Sequence, residues 1–150
     1  MSIVHEGMMG IGLGNVRMEH RAENPGNIVN IASIAGLVPH AVCTAYSTTK
    51  HALVGLSTSL RGEAVSKGVR VTVACPGTID TSLKNTTELV NLDRDKLVGL
   101  RWPLTSADRC ARVILRGVRR NRAVVTVNPE VPVLWWLYRL APGAFASWVG

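Results

Sequence analysis

The 150-residue chain has almost nothing from which to build a metal centre or a disulfide framework. Its three cysteines, Cys43, Cys75 and Cys110, are odd in number and far apart, with no Cys-x-x-Cys pair and no histidine at ligand spacing. They read as reduced, buried thiols. His5, His20, His40 and His51 likewise lack the spacing of a zinc site, so no metal is expected. Acidic residues are also few, 10 against 17 lysines and arginines, which leaves a formal charge of +7. That balance raises nucleic acid as a partner, but the position of the arginines argues against it. Arg109, Arg112, Arg116, Arg119, Arg120 and Arg122 fall at largely helical spacing around Val113, Ile114 and Val118, the pattern of a solvated helix face. No nucleic-acid motif and no base-stacking aromatics accompany them, so no nucleic-acid partner is expected. No run of about eighteen uncharged apolar residues occurs, and residues 1–21 lack the basic start and long apolar centre of a signal peptide. The expected compartment is the cytoplasm.

What is present suffices for one compact domain, with 47% hydrophobic residues. Asn27 to Ser33 reads as a buried parallel strand. Thr44 to Lys67 reads as a long helix with Leu53, Leu56, Leu60 and Ala64 on its inward stripe. Gly68 stops that helix, Val69 to Cys75 forms a second strand, and Pro76-Gly77 breaks it. The result is a strand–helix–strand crossover, expected to be right-handed. Ser106 opens a further helix from Ala107 to about Gly117, and Ala123 to Val127 is a third short strand. Thr81 to Thr105 connects these elements and carries Ser82, Lys84 and Trp102. The tail from Val131 to Val149 holds three of the four tryptophans. It is interrupted by Arg139 and Pro142, too often to span a bilayer, yet Trp, Tyr and Arg together suit a membrane interface. Packing over a pocket or against another subunit is the competing reading of that tail.

Chemistry concentrates in three residues. Tyr46 and Lys50 sit one helical turn apart and project from the same face, so the ammonium can lie beside the phenol and favour its ionised form. Ser33 precedes them at the end of the first strand. Ligands in open parallel sheets bind at strand C-termini, and both Ser33 and Pro76-Gly77 stand there. A trio of this kind can perform acid/base chemistry on a carbonyl.

The succession Gly26-Asn27-Ile28-Val29-Asn30-Ile31-Ala32-Ser33, Ala35-Gly36, Tyr46-Ser47-Thr48-Thr49-Lys50, then Val69 through Pro76-Gly77 and Thr81, resembles the short-chain dehydrogenase/reductase family over about Gly26 to Leu83. The resemblance implies an α/β fold, a partial Rossmann-like doubly wound parallel sheet of about three strands with flanking helices, corresponding to the family's C-terminal half. It implies an NAD(P)-dependent oxidoreductase interconverting an alcohol and a ketone or aldehyde by hydride transfer. Tyr46 would be the acid/base, Ser33 would hold the developing oxyanion, and Lys50 would bind the nicotinamide ribose. Pro76, Gly77, the backbone of Ile79 and the Thr81 hydroxyl would cradle the nicotinamide. In the family the stretch after Thr81 forms a flap over the substrate.

Two departures qualify that expectation. Before Ser33 there is no room for a complete dinucleotide-binding unit with its strand, glycine turn, helix and second strand. The run Gly7-Met8-Met9-Gly10-Ile11-Gly12-Leu13-Gly14 is one residue short of the family's turn, and residues 3–22 read better as the helix leading to the serine strand. The asparagine that often completes the family's proton relay has no match, because Asn15 and Asn24 are wrongly spaced. The expected organisation is a single truncated domain: helix and loop at 1–25, catalytic core at 26–83, flap, helix and last strand at 84–128, and a hydrophobic tail at 129–150. NAD and NADP are not distinguished, since the residue that reads the adenosine ribose belongs to the part not found. Expected partners are a small lipophilic alcohol or ketone and a second copy of the chain, because an uncovered first strand leaves a raw sheet edge. The alternative is an inactive remnant acting as a dimerisation, interaction or membrane-surface protein.

Overall fold

The computed structural model describes residues 26–41, 43–80 and 104–149. The helix expected over residues 3–22, the glycine run within it, Thr81 and most of the flap lie outside the described residues. Three strands, β1 (Asn27–Ile31), β2 (Arg70–Cys75) and β5 (Val124–Thr126), form a parallel sheet in the order β1-β2-β5. Ile28 faces Val71 and Ile31 faces Ala74 across one seam, and Val73 to Cys75 face Val124 to Thr126 across the other. A second, two-residue parallel pair joins β3 (Ile79–Asp80) to β4 (Thr105–Ser106), an element the sequence reading did not foresee. Helix α1 spans Thr44–Val65, α2 Ala107–Arg119, α3 Glu130–Leu140 and α4 Pro142–Val149. The architecture is the α/β parallel sheet with flanking helices that the sequence anticipated.

Central β2 is buried along Val71 to Cys75, as a strand flanked on both edges and covered by helices must be. Val73 and Cys75 pack with Ala32, Leu37, Val38 and Leu53 and with Val131, Leu134 and Phe145 of the tail helices. The tail is therefore part of the core on one side. Helix α1 turns a somewhat different face inward from the one expected. Leu53 and Ala64 are buried, but Leu56 is exposed and Ser57 takes the inner position. Ser57 can do so because Asn30 Nδ2 donates to its hydroxyl at 2.9 Å and the hydroxyl donates to Leu53 O at 2.6 Å. A satisfied hydroxyl costs little to bury.

The helix ends and strand starts are tied together by one side chain. Arg61 on α1 donates to Val71 O at 2.6 Å and to Asn121 O at 2.8 Å, joining helix, central strand and the turn before β5. Asn121 adopts a φ of 51°, a left-handed geometry that asparagine tolerates. Gly68, at φ 68°, reverses the chain after α1. Helix α2 begins at Ser106, whose Oγ accepts from the Arg109 N–H at 3.4 Å, as the sequence predicted.

Helical glycines separate packing from propensity. A methyl group on Gly117 of α2 would overlap the Val125 side chain, whereas at Gly55 or Gly62 of α1 it would meet nothing. Gly55→Ala and Gly62→Ala should each stabilise the fold by about 0.5–1 kcal/mol. Gly117→Ala should lose about 1–3 kcal/mol from overpacking despite the same helical gain. Urea unfolding midpoints measure all three, and a stabilised Gly117→Ala protein would contradict the close approach of α2 to β5.

Candidate active site

Beyond Ile31 and Cys75 the first two strands remain zipped. The Ala32 N–H donates to Ala74 O at 2.7 Å and the Ile34 N–H to Pro76 O at 2.8 Å. Ser33 is thereby fixed beside the Pro76-Gly77 turn. Its own backbone is extended, and its side chain caps the short 3-10 turn Ile34–Gly36 by accepting from the Ala35 N–H at 3.2 Å. A hydroxyl that accepts one bond still has a proton to donate.

That turn packs directly on α1. A Cβ on Gly36 would come within 2.5 Å of the Lys50 carbonyl oxygen, so only glycine permits the approach. Lys50 Nζ then donates to Ile31 O at 3.1 Å, at the end of β1, and lies 5.6 Å from the centre of the Tyr46 ring. The ammonium is thus tethered where strand and helix meet, with the phenol alongside. The Tyr46 side chain is 49% exposed.

On the other side, the Gly77 N–H donates to Asn128 Oδ1 at 3.0 Å, and Asn128 Nδ2 donates to Thr105 Oγ1 at 3.0 Å. Asn128 is 1% exposed. One buried amide therefore locks the Pro76-Gly77 turn to β4 and to the strand end of β5. The sequence reading missed it, since the bond spans fifty-one residues. Ile79 lies in β3 just beyond the turn, with Thr78 O accepting from the Thr105 N–H at 3.1 Å. Ser33, Tyr46, Lys50, Pro76, Gly77 and Ile79 thus gather at the C-terminal ends of β1 and β2, while Thr81 lies outside the described residues.

A cavity of about 90 Å³, by the centres of water-sized molecules, opens next to this cluster. Ile34, Val38, Leu134, Phe145 and Trp148 line it, with His40, Thr78 and Glu130 as its polar members. Phe145 stacks edge-on between Tyr138 and Trp148, with both ring centres at 5.6 Å. Among the described residues no group of three or more His, Cys, Asp or Glu could hold a metal ion. The donors present fit the nicotinamide side of a dinucleotide: an exposed ammonium, a phenol, and a turn with its backbone held from behind. Among the described residues no glycine-rich turn accompanies them for a pyrophosphate.

The short chain dehydrogenase family model matches residues 12–90. The chain belongs to that family. It is 33% identical over 132 residues to EphD of Mycobacterium tuberculosis, a protein named as an oxidoreductase, in a match covering 81% of this chain and 22% of EphD. Among solved structures, a short-chain dehydrogenase of Burkholderia cenocepacia in complex with NADP superposes with a TM-score of 0.66 at 20% identity, covering 85% of this chain and 48% of that one. A short-chain dehydrogenase/reductase of Burkholderia phymatum in complex with NAD gives 0.67 at 20% identity, covering 81% and 49%. At that identity the structural likeness speaks for the fold. The chain spans about a fifth of EphD and about half of the two solved structures.

Cys75 is buried beneath the site, and burial pushes its thiol from 9.0 up to about 12, with the Ser33 backbone N–H and the Lys50 charge opposing more weakly. Folding thus favours the neutral thiol. The associated stability is fully present below the ordinary value and is lost as pH rises from about 9 towards 12. Iodoacetamide at pH 8 should label half-buried Cys43 and Cys110 first and reach Cys75 only on unfolding. Mass spectrometry of the peptides reads the order, and early labelling of Cys75 would contradict its burial. Asn128→Ala should cost about 1–3 kcal/mol for each bond partner left buried and unpaired. A thermal melt unchanged from wild type would show that the turn is held by something else.

Proposed function

We propose that this chain carries the acid/base half of an NAD(P)-dependent oxidoreductase that interconverts an alcohol with a ketone or aldehyde. The observation that carries this reading is the placement of Lys50 Nζ, bonded to the end of the serine strand and beside the Tyr46 ring. The bound nicotinamide would supply or accept the hydride. Tyr46 gives its hydroxyl proton to the carbonyl oxygen as the carbon is reduced, and takes that proton back when the alcohol is oxidised. Ser33 donates to the same oxygen. Because its capping bond fixes the hydroxyl in advance, it stabilises charge appearing there without reorganising. Lys50 would also hold the nicotinamide ribose, and Pro76, Gly77, the Ile79 backbone and Thr81 the nicotinamide ring and carboxamide. Asn128 positions the turn from behind. The relatives' structures with NADP and with NAD support a nicotinamide cofactor without choosing between them. The mostly apolar cavity beside the site, lined by Leu134, Phe145 and Trp148, favours a small lipophilic substrate.

A second reading has its own support. Tyr46 and Leu56 of α1 and Ile31 of β1 are each about half exposed, so apolar surface remains on these elements for pairing with a second copy in a protein without turnover. Tyr46→Phe separates the two. As acid/base, Tyr46 should be worth about 10²–10⁴-fold in kcat, whereas self-association measured by sedimentation would survive the change. Unaltered turnover in Tyr46→Phe would remove this residue from the chemistry.

A further inference from the structure

We propose that the outer face of α3 is a membrane-docking surface that seats the protein on an anionic bilayer. The helix is apolar on two opposite sides. Val131 and Leu134 point into the core, yet Val133, Trp136, Leu137 and Leu140 are 57%, 60%, 45% and 63% exposed. Those four positions follow the i, i+3, i+4, i+7 spacing of a single stripe. A helix exposed to water on one side ordinarily carries polar residues there, and this stripe carries none. Trp148 of the neighbouring helix α4 is 66% exposed as well.

Arg139 beside the stripe, and the positive charge of the C-terminal third of the chain, select an anionic lipid surface as its occupant. From Leu104 to Val149 the chain has seven arginines against two acidic residues, Asp108 and Glu130. Arg109, Arg112, Arg116 and Arg119 of α2, with Arg120 and Arg122 beyond it, are all exposed. Arg139 flanks the stripe near its C-terminal end, its guanidinium 5.4 Å from the Trp135 ring centre. Tryptophan and arginine beside an apolar stripe match the headgroup region, where rings sit at the boundary and guanidinium groups meet phosphate. Dimerisation through the stripe is disfavoured by its size. An eleven-residue helix is about 16 Å long, so a stripe roughly 10 Å wide offers on the order of 160 Å², against roughly 800 Å² per partner in a stable complex. Spanning is disfavoured too, since no helix among the described residues is long and apolar enough to cross a membrane. An in-plane helix needs neither a large protein interface nor that length.

Co-sedimentation of the full chain with phosphatidylcholine vesicles, with and without about one-third phosphatidylserine, tests the proposal. Binding to the anionic vesicles should be about tenfold or more stronger than to the neutral ones. Trp136→Ser with Leu140→Ser should reduce that binding about tenfold while leaving the circular dichroism unchanged, because both side chains are exposed. Arg116→Glu with Arg119→Glu should weaken binding to anionic vesicles only. Equal binding to both vesicle types, or undiminished binding by the serine variant, would overturn the proposal. So would a wild-type chain that ignores vesicles but forms a dimer that the serine variant dissociates, which would assign the stripe to a second copy.

Discussion

The site depends on the seam between β1 and β2 continuing past the strands' formal ends. Two backbone bonds, Ala32 N–H to Ala74 O and Ile34 N–H to Pro76 O, hold Ser33 against the Pro76-Gly77 turn. Every other placement follows from that seam. The capped turn after Ser33 brings Gly36 onto the α1 backbone at Lys50, and the lysine reaches back to Ile31 O. Tyr46, one turn earlier on α1, is then set beside the ammonium. Parallel strands leave their C-terminal ends facing one crevice, and the chain uses that geometry to converge residues from two strands and a helix.

The rest of the molecule supports the seam from behind. Asn128 ties the Gly77 N–H to the Thr105 hydroxyl, and Arg61 ties α1 to the starts of β2 and β5. The two tail helices close the core over Val73 and Cys75 and line the cavity beside the site. A buried amide such as Asn128 contributes chiefly by holding one arrangement, since leaving a buried partner unpaired costs more than the bond itself yields.

The parts legible in the sequence were those with local signatures. Tyr46 and Lys50 are four apart on one helix, Ser106 stands three before the amide it caps, and Pro76-Gly77 announces the end of a strand. Gly68 correctly marked the end of the first crossover helix, within two or three residues. What the sequence hid was long-range. Asn128 looks like a loop residue until its two partners, far away in the chain, are brought to it. The β3–β4 pair is equally invisible, being two residues on each side of a long connection. Leu56 and Ser57 show a subtler limit: they lie three and four residues after buried Leu53 on α1, and hydrophobicity favours leucine for the next inward position, but Asn30 makes serine the better neighbour. The sequence marked Pro142 as an interruption of the tail without assigning helices to it, and Pro142 opens the second of the two helices found there.

In the proposed mechanism Ser33 and Tyr46 act on one oxygen. The direct measurement is a double-mutant cycle in kcat for ketone reduction, comparing wild type, Ser33→Ala, Tyr46→Phe and the double variant. Residues that work as a unit are non-additive, so the double variant should be scarcely slower than Tyr46→Phe alone. Losses that simply multiply, or a Ser33→Ala enzyme as fast as wild type, would contradict the account.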